Sequence, residues 1–129
     1  MAKKSSKTEA PFAYEGLSRV IHERARLSVL TSLMTHPKGL SFVELKRLCA
    51  LTDGNLARHL QVLEEDGMVR TMKEGEGARA QTTVRVTASG RSRYLEYLSI
   101  LEQVVRDATS VQHEEEEGPF LRQLTPLKT

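Results

Sequence analysis

Three residues with hydrogen-bonding side chains recur at intervals of three in the middle of the chain: Asn55, Arg58 and Gln61. An arginine guanidinium can donate two hydrogen bonds to a guanine, and the amide of an asparagine or glutamine matches adenine. Residues three apart are neighbours on the surface of an α-helix. A helix through this segment would therefore carry a row of side chains suited to the base edges of duplex DNA.

The segment 52–66 is predicted to be that helix. Thr52 is a good N-cap, and Asp53 stands in the first turn, where a carboxylate favours the positive end of the helix dipole. Gly54 would let the helix approach DNA closely, and Gly67 ends the helix. The buried face is predicted to consist of Leu56, Leu60 and Leu63. Arg58 and Gln61 lie on the opposite face, with Asn55 on one flank.

Two further helices are predicted before this segment. Apolar residues recur at spacings of three and four from Tyr14 to about His36, which indicates a long or broken first helix. Ser41 and Glu44 have the spacing of a capping box, which predicts a short second helix of about nine residues. A tight turn at 51–55 then joins the second helix to the third, as in a helix-turn-helix.

A β-hairpin is predicted after the third helix. The segments 68–73 and 82–87 are rich in valine and threonine, and the loop 74–81 between them contains two glycines. A helix-turn-helix followed by a hairpin is the layout of a winged helix. The predicted fold class is therefore mainly α with a small β-hairpin, a winged helix-turn-helix domain plus a C-terminal dimerisation helix.

The last helix is predicted to begin after Thr87, and its apolar residues alternate spacings of four and three. The stripe could pack within the chain. We expect it to form a homodimer instead, because a helix so late in a small domain has little left to cover. The predicted dimer residues are Leu17, Tyr94, Leu98, Leu101 and Val105.

Composition narrows the classes of protein. The chain has 129 residues, a formal net charge of +2 and a single cysteine, Cys49, which excludes an internal disulfide. Cys49 is expected to be a buried, unreactive thiol. No nucleophile with a base, no phosphate loop and no metal motif is present, so we expect neither an enzyme nor a metal or other cofactor. No membrane span is expected, and the cytoplasm is the default location.

Charge and composition also suggest boundaries along the chain. Residues 1–13 are predicted to be a flexible basic arm, and residues 14–93 the winged-helix DNA-binding domain. Residues 94–112 are predicted to be the dimerisation helix, and residues 113–129 an acidic, mobile tail that contains the run Glu114 to Glu117.

The chain resembles winged-helix regulators related to the MarR and ArsR groups in three motifs: LTDGNLARHL at 51–60, LEEDGMV at 63–69 and VTASGR at 86–91. The resemblance covers about residues 15–100. It implies a homodimer that binds a roughly palindromic operator, with the third helix in the major groove and the wing beside the backbone or minor groove. It places Thr52, Asn55, Arg58 and His59 on the DNA-facing helix, and Arg79 and Gln81 on the wing.

The predicted function is a DNA-binding transcriptional regulator, expected to be a repressor. Glu74 and Glu76 make the wing less basic than the wings of such regulators usually are. We therefore expect most of the affinity for DNA to come from the two third helices of a dimer. The predicted DNA-binding residues are Thr52, Asn55, Arg58, His59, Gln61, Lys73, Arg79 and Gln81.

Several alternatives stay open. The chain could be a winged-helix protein-protein interaction module without sequence-specific DNA binding, since a fold does not fix a function. His59 could pack or pair with an acid, and Asn55 could be a local capping group. A small-molecule effector is neither supported nor excluded, because its pocket would be built from residues far apart in sequence.

Overall fold

The structure is a computed structural model that describes residues 9–115, with side chains described for residues 9–110. Its elements in chain order are α1 (Arg24–Met34), β1 (Leu40–Ser41), α2 (Phe42–Cys49), α3 (Asp53–Glu65), β2 (Val69–Glu74), β3 (Gln81–Val86) and α4 (Ala88–Glu115). Most of the predicted basic arm, residues 1–8, and most of the predicted acidic tail, residues 116–129, lie outside the described residues. The chain divides into a unit spanning Leu17–Tyr97 and a second unit containing residues 9–16 and the helix from Leu98 onward.

The N-terminal caps of α2 and α3 are those predicted from the sequence, whereas the start of α1 is not. The capping box of α2 is present, since Ser41 Oγ accepts a hydrogen bond from the backbone nitrogen of Glu44 at 3.1 Å, and the Glu44 carboxylate accepts one from Ser41. Thr52 caps α3 by accepting from the backbone nitrogen of Asn55 at 3.2 Å. The first helix is shorter than its apolar spacing indicated, because it begins at Arg24 with Glu23 as N-cap.

The sheet has three antiparallel strands in the order β1-β3-β2. The hairpin of β2 and β3 pairs Val69 with Val86 at its base and Glu74 with Gln81 near its tip, which confirms the prediction. The sequence did not indicate β1, whose Leu40 pairs with Val84. A strand of two residues is too short to show an alternating pattern.

The core of the unit Leu17–Tyr97 lies where the three helices meet the inner face of the sheet. Leu56, Leu60 and Leu63 of α3 are buried there, as predicted. Cys49 is also buried, with its sulfur 3.5 Å from Ser32 Oγ. The other fully buried side chains in this unit are Ile21, Val29, Leu30, Leu33, Leu45, Met68, Val84 and Tyr97.

The hairpin joins α4 through a close backbone contact. Gly67 ends α3 with a positive φ of 76°, and its nitrogen donates to the carbonyl of Glu64. Thr87 Oγ1 accepts from the backbone nitrogen of Gly90 at 2.9 Å, while the Thr87 nitrogen donates to the carbonyl of Met68 at 3.0 Å. At Gly90, an added β-carbon would overlap the carbonyl oxygen of Met68. The first turn of α4 therefore fits against the start of β2 only without a side chain at this position.

The second unit contains Phe12, Tyr14 and the later part of α4. The Tyr14 hydroxyl donates a hydrogen bond to the carboxylate of Asp107. This bond lowers the pKa of Asp107 and raises that of Tyr14, because it favours the carboxylate and the protonated phenol. None of the described helices combines the length and apolar character needed to cross a membrane.

Candidate nucleic-acid interface

The polar row on α3 is exposed along the first turns of the helix. Thr52, Asn55, Arg58 and Gln61 all lie at the surface. The Arg58 guanidinium donates to the side-chain oxygen of Asn55 at 3.4 Å, a long bond between two exposed groups. Exposed side chains held this weakly can exchange their contacts for base edges at small energetic cost.

The surface around Gly54, at the N-terminal end of α3, is open enough for another molecule to approach the helix backbone closely. No atom outside the helix lies within 4 Å of the position that a β-carbon at Gly54 would take. Beside it, Lys46 of α2 forms an ion pair with Asp53 at 2.7 Å. Lys46 offsets the negative charge of Asp53 at the N-terminal end of α3.

The acidic end of α3 is held by partners within the chain. Glu64 accepts from Thr71 Oγ1, which is 3.1 Å from each of its carboxylate oxygens, and Glu65 accepts from the amide of Gln61 at 3.2 Å. Asp66 pairs with Arg93, whose guanidinium also donates to the Asp66 carbonyl at 3.0 Å. These contacts fix the acids at the end of the helix opposite Gly54. The acids therefore do not argue against DNA binding by the N-terminal turns.

The predicted wing residues lie on and beside the hairpin tip. Arg79 lies in a short 3₁₀ turn, Gly77–Arg79, and is exposed, as are Lys73 and Gln81. Lys73 pairs with Thr82, one position before the pair Glu74 and Gln81, so Lys73 and Gln81 project from opposite faces of the hairpin. The structure therefore does not bring Lys73 and Gln81 together into one surface.

The structure differs from the resemblance-based expectation at His59. Its side chain is buried rather than directed outward with Arg58, and the residue retains 9% of its accessible surface. The guanidinium of Arg26 lies 3.2 Å from His59 Nδ1. His59 stands next to the apolar stripe of α3, and the partner that draws it inward comes from α1. The sequence is compatible with packing of His59 or with pairing to an acid, but it does not identify Arg26 as the partner.

The predicted dimer residues fall into two groups. Tyr94 is buried in its own unit, where its hydroxyl is 2.6 Å from Thr31 Oγ1, so it is not available to a partner subunit. Leu17, Leu98 and Leu101 are half-buried, and Val105 is 42% exposed. Leu95, which the sequence analysis did not select, is 52% exposed. The apolar stripe of α4 thus consists of Leu95 and Val105, which are exposed, and Leu98 and Leu101, which are half-buried.

The outer face of the sheet carries a basic pair that is not among the predicted DNA-binding residues. Arg70 and Arg85 are directly opposite each other in β2 and β3, and both are exposed. With Met72 they line an open hollow of about 290 Å³ at the base of the hairpin. Among the described residues, no group of three His, Cys, Asp or Glu side chains has the arrangement of a metal site.

Comparisons with known proteins agree with this architecture. The sequence profile of a winged helix DNA-binding domain family matches residues 25–105. An uncharacterized protein of Methanocaldococcus jannaschii is 35% identical over 83 residues, which are 62% of this chain and 86% of that protein.

Solved structures show the same fold. A transcriptional regulator homologue from Pyrococcus horikoshii OT3 is 25% identical and superposes with a TM-score of 0.65 over 84% of this chain and 98% of that one. A MarR-family regulator from Silicibacter pomeroyi, 18% identical, has a TM-score of 0.57 over 98% of this chain and 84% of that one. The chain belongs to the winged-helix DNA-binding domain family, and its fold is the one seen in the MarR-family regulator.

Proposed function

We propose that this protein is a sequence-specific transcriptional repressor that reads duplex DNA with the N-terminal turns of α3. The observation that carries the proposal is the exposed row of Asn55, Arg58 and Gln61 beside the open position at Gly54. Arginine and the two amides can each form paired hydrogen bonds with base edges in the major groove. An α3 held in that groove would occlude promoter DNA, which is the simplest route to repression.

The wing adds contacts with the backbone or minor groove in this proposal. Arg79 lies at the exposed tip, but Glu74 and Glu76 stand close to it in the sequence and repel phosphates. Arg79 and Lys73 therefore add a modest electrostatic contribution. Most of the affinity for an operator then comes from two α3 helices acting together in a dimer.

Selection of binding sites from random duplex DNA tests the proposal. We expect enrichment of a roughly palindromic sequence whose half-sites are one helical turn apart, about 34–36 Å between their centres. The enriched duplex, placed over a promoter, should lower transcription in a purified system when the protein is added. A pool with no enriched sequence after repeated rounds, despite retention of DNA, would contradict sequence-specific reading.

Dimerisation through the apolar stripe of α4 gives a separate prediction. We expect light scattering to give the mass of a dimer at about 10 µM, a concentration chosen to exceed the dissociation constant of a stable homodimer. Val105→Glu should give a monomer, because a carboxylate in an apolar seam is costly to bury.

A control for this prediction lies on the same helix. Ser110 is exposed and is about 140° around the helix from Val105, given about 100° per residue. Ser110→Glu adds the same charge outside the stripe and should leave the dimer intact. A monomer mass for the unsubstituted protein would reject the dimer. An unchanged dimer mass for Val105→Glu would show that the dimer interface does not include this part of α4.

A further inference from the structure

A buried polar cluster joins the proposed reading helix to α1. His59 of α3 faces Arg26, whose Nη1 is 3.2 Å from His59 Nδ1. The nearest carboxylate oxygen of Glu23 is 3.9 Å from the same ring nitrogen. Arg26 also donates through Nε to the carbonyl of Val20 at 2.6 Å. A single guanidinium thus connects α3 with the main chain that precedes α1.

The geometry defines the protonation state of the histidine ring. A guanidinium carries donors and no acceptor, so His59 Nδ1 must be unprotonated to accept the bond from Arg26. The ring is then neutral and carries its proton on Nε2. The ion pair with Glu23 needs the opposite state, with a proton on Nδ1. At 3.2 Å against 3.9 Å, the contact with Arg26 is the one formed in this structure.

We propose that Arg26 and His59 are positioning residues for DNA reading, and that protonation of His59 releases α3 from Arg26 and lowers discrimination between DNA sequences. His59 directly follows Arg58 in α3. The His59 ring is buried against α1, so a change in its contact with Arg26 changes how the turn of α3 that carries Arg58 is held. Base readout depends on hydrogen-bond geometry, so a small shift of α3 weakens it more than it weakens contacts with phosphates.

Glu23 supplies a second position for the protonated ring. Burial acts to raise the pKa of Glu23, but the pKa lies below its usual value, chiefly because the backbone nitrogen of Arg26 donates a hydrogen bond to the Glu23 carboxylate. Glu23 therefore stays a carboxylate between pH 5 and 8, the range in which histidines change charge. As pH falls, a protonated Nδ1 is repelled by Arg26 and attracted to Glu23.

Charged groups on the other elements packed against α3 are directed elsewhere. Lys46 of α2 pairs with Asp53, while Arg70 and Lys73 of β2 are exposed. Arg58, on α3 itself, is exposed and contacts Asn55. Among the described residues, the charged side chains that lie against His59 Nδ1 are Arg26 and Glu23.

The test rests on the proposed function and uses the ratio of dissociation constants for the selected duplex and a scrambled duplex, measured by fluorescence anisotropy at constant ionic strength. We expect discrimination by the unsubstituted protein to fall about tenfold between pH 8 and pH 5.5, as loss of one charge-assisted hydrogen bond would give. His59→Asn places an amide oxygen near the position of Nδ1 and does not titrate, so its ratio should stay constant. His36→Asn, a change at an exposed histidine, should keep the pH dependence.

A pH-independent ratio in the unsubstituted protein, or an equal fall in His59→Asn, would overturn the proposal. The ¹⁵N spectrum of the His59 ring at pH 8 gives a readout that needs no DNA. We expect a bare Nδ1 and a protonated Nε2. A proton on Nδ1 at pH 8 would contradict the Arg26 contact, whereas absence of discrimination at every pH would contradict the proposed function itself.

Discussion

Replacement of Gly90 by alanine should destabilise the protein by about 3 kcal/mol, the upper end of the cost of forcing extra atoms into a packed site. The new methyl group would overlap the carbonyl oxygen of Met68 and lie 2.9 Å from the Met68 Cα. Both atoms belong to the backbone, so no side-chain rotation can relieve the overlap. The start of α4 would have to move away from β2, with loss of the hydrogen bonds that Thr87 makes there.

Thermal unfolding measures this effect. For a domain of this size, a loss of about 3 kcal/mol lowers Tm by roughly 10 °C or more. Gly54→Ala is the matched control, since Gly54 is in a helix with open space around it. That change should raise stability by about 1 kcal/mol, because alanine favours the helix over glycine. Equal Tm values for the two variants would show that the contact between Gly90 and Met68 is looser than described.

Removal of the Arg58 side chain should cost specificity and not stability. Arg58 is exposed, and its described hydrogen-bond partner is the neighbouring Asn55 at 3.4 Å, so Arg58→Ala should leave the unfolding transition unchanged. If Arg58 reads a guanine through two hydrogen bonds, its loss removes about 1–3 kcal/mol of discrimination, or roughly 10- to 100-fold. Affinity for a scrambled duplex should fall much less.

Anisotropy titrations with the selected and scrambled duplexes separate these effects. Arg106→Ala removes an exposed arginine of α4 whose described contact is with Gln103, and it should change neither affinity. If Arg58→Ala lost equal affinity for both duplexes, Arg58 would be assigned to a phosphate contact instead. No loss on either duplex would remove Arg58 from the interface.

The sequence predicted those parts of the fold that depend on local signals. The capping box of Ser41 and Glu44, the N-cap at Thr52 and the stop at Gly67 all involve residues close in sequence. The buried leucines of α3 follow from helical spacing. The hairpin also joins neighbouring segments. Each of these elements is determined by residues a few positions apart.

What the sequence could not predict depends on distant partners. The strand β1 exists because Leu40 pairs with Val84, and His59 turns inward because Arg26 meets it from α1. Neither partner can be identified from a helical wheel of its own segment. The same holds for Asp66, whose ion-pair partner Arg93 lies 27 positions away in the sequence, on α4. For the candidate site, local spacing therefore identified the exposed row, while tertiary contacts removed His59 from it.

The most direct test of sequence-specific reading by α3 is a salt titration of the unsubstituted protein on two duplexes of equal length, the selected sequence and its scrambled counterpart. Both affinities should fall steeply with salt, since both complexes release counterions from phosphates. At physiological ionic strength the selected duplex should bind at least about 10³-fold more tightly. Equal dissociation constants for the two duplexes at every salt concentration would contradict the account.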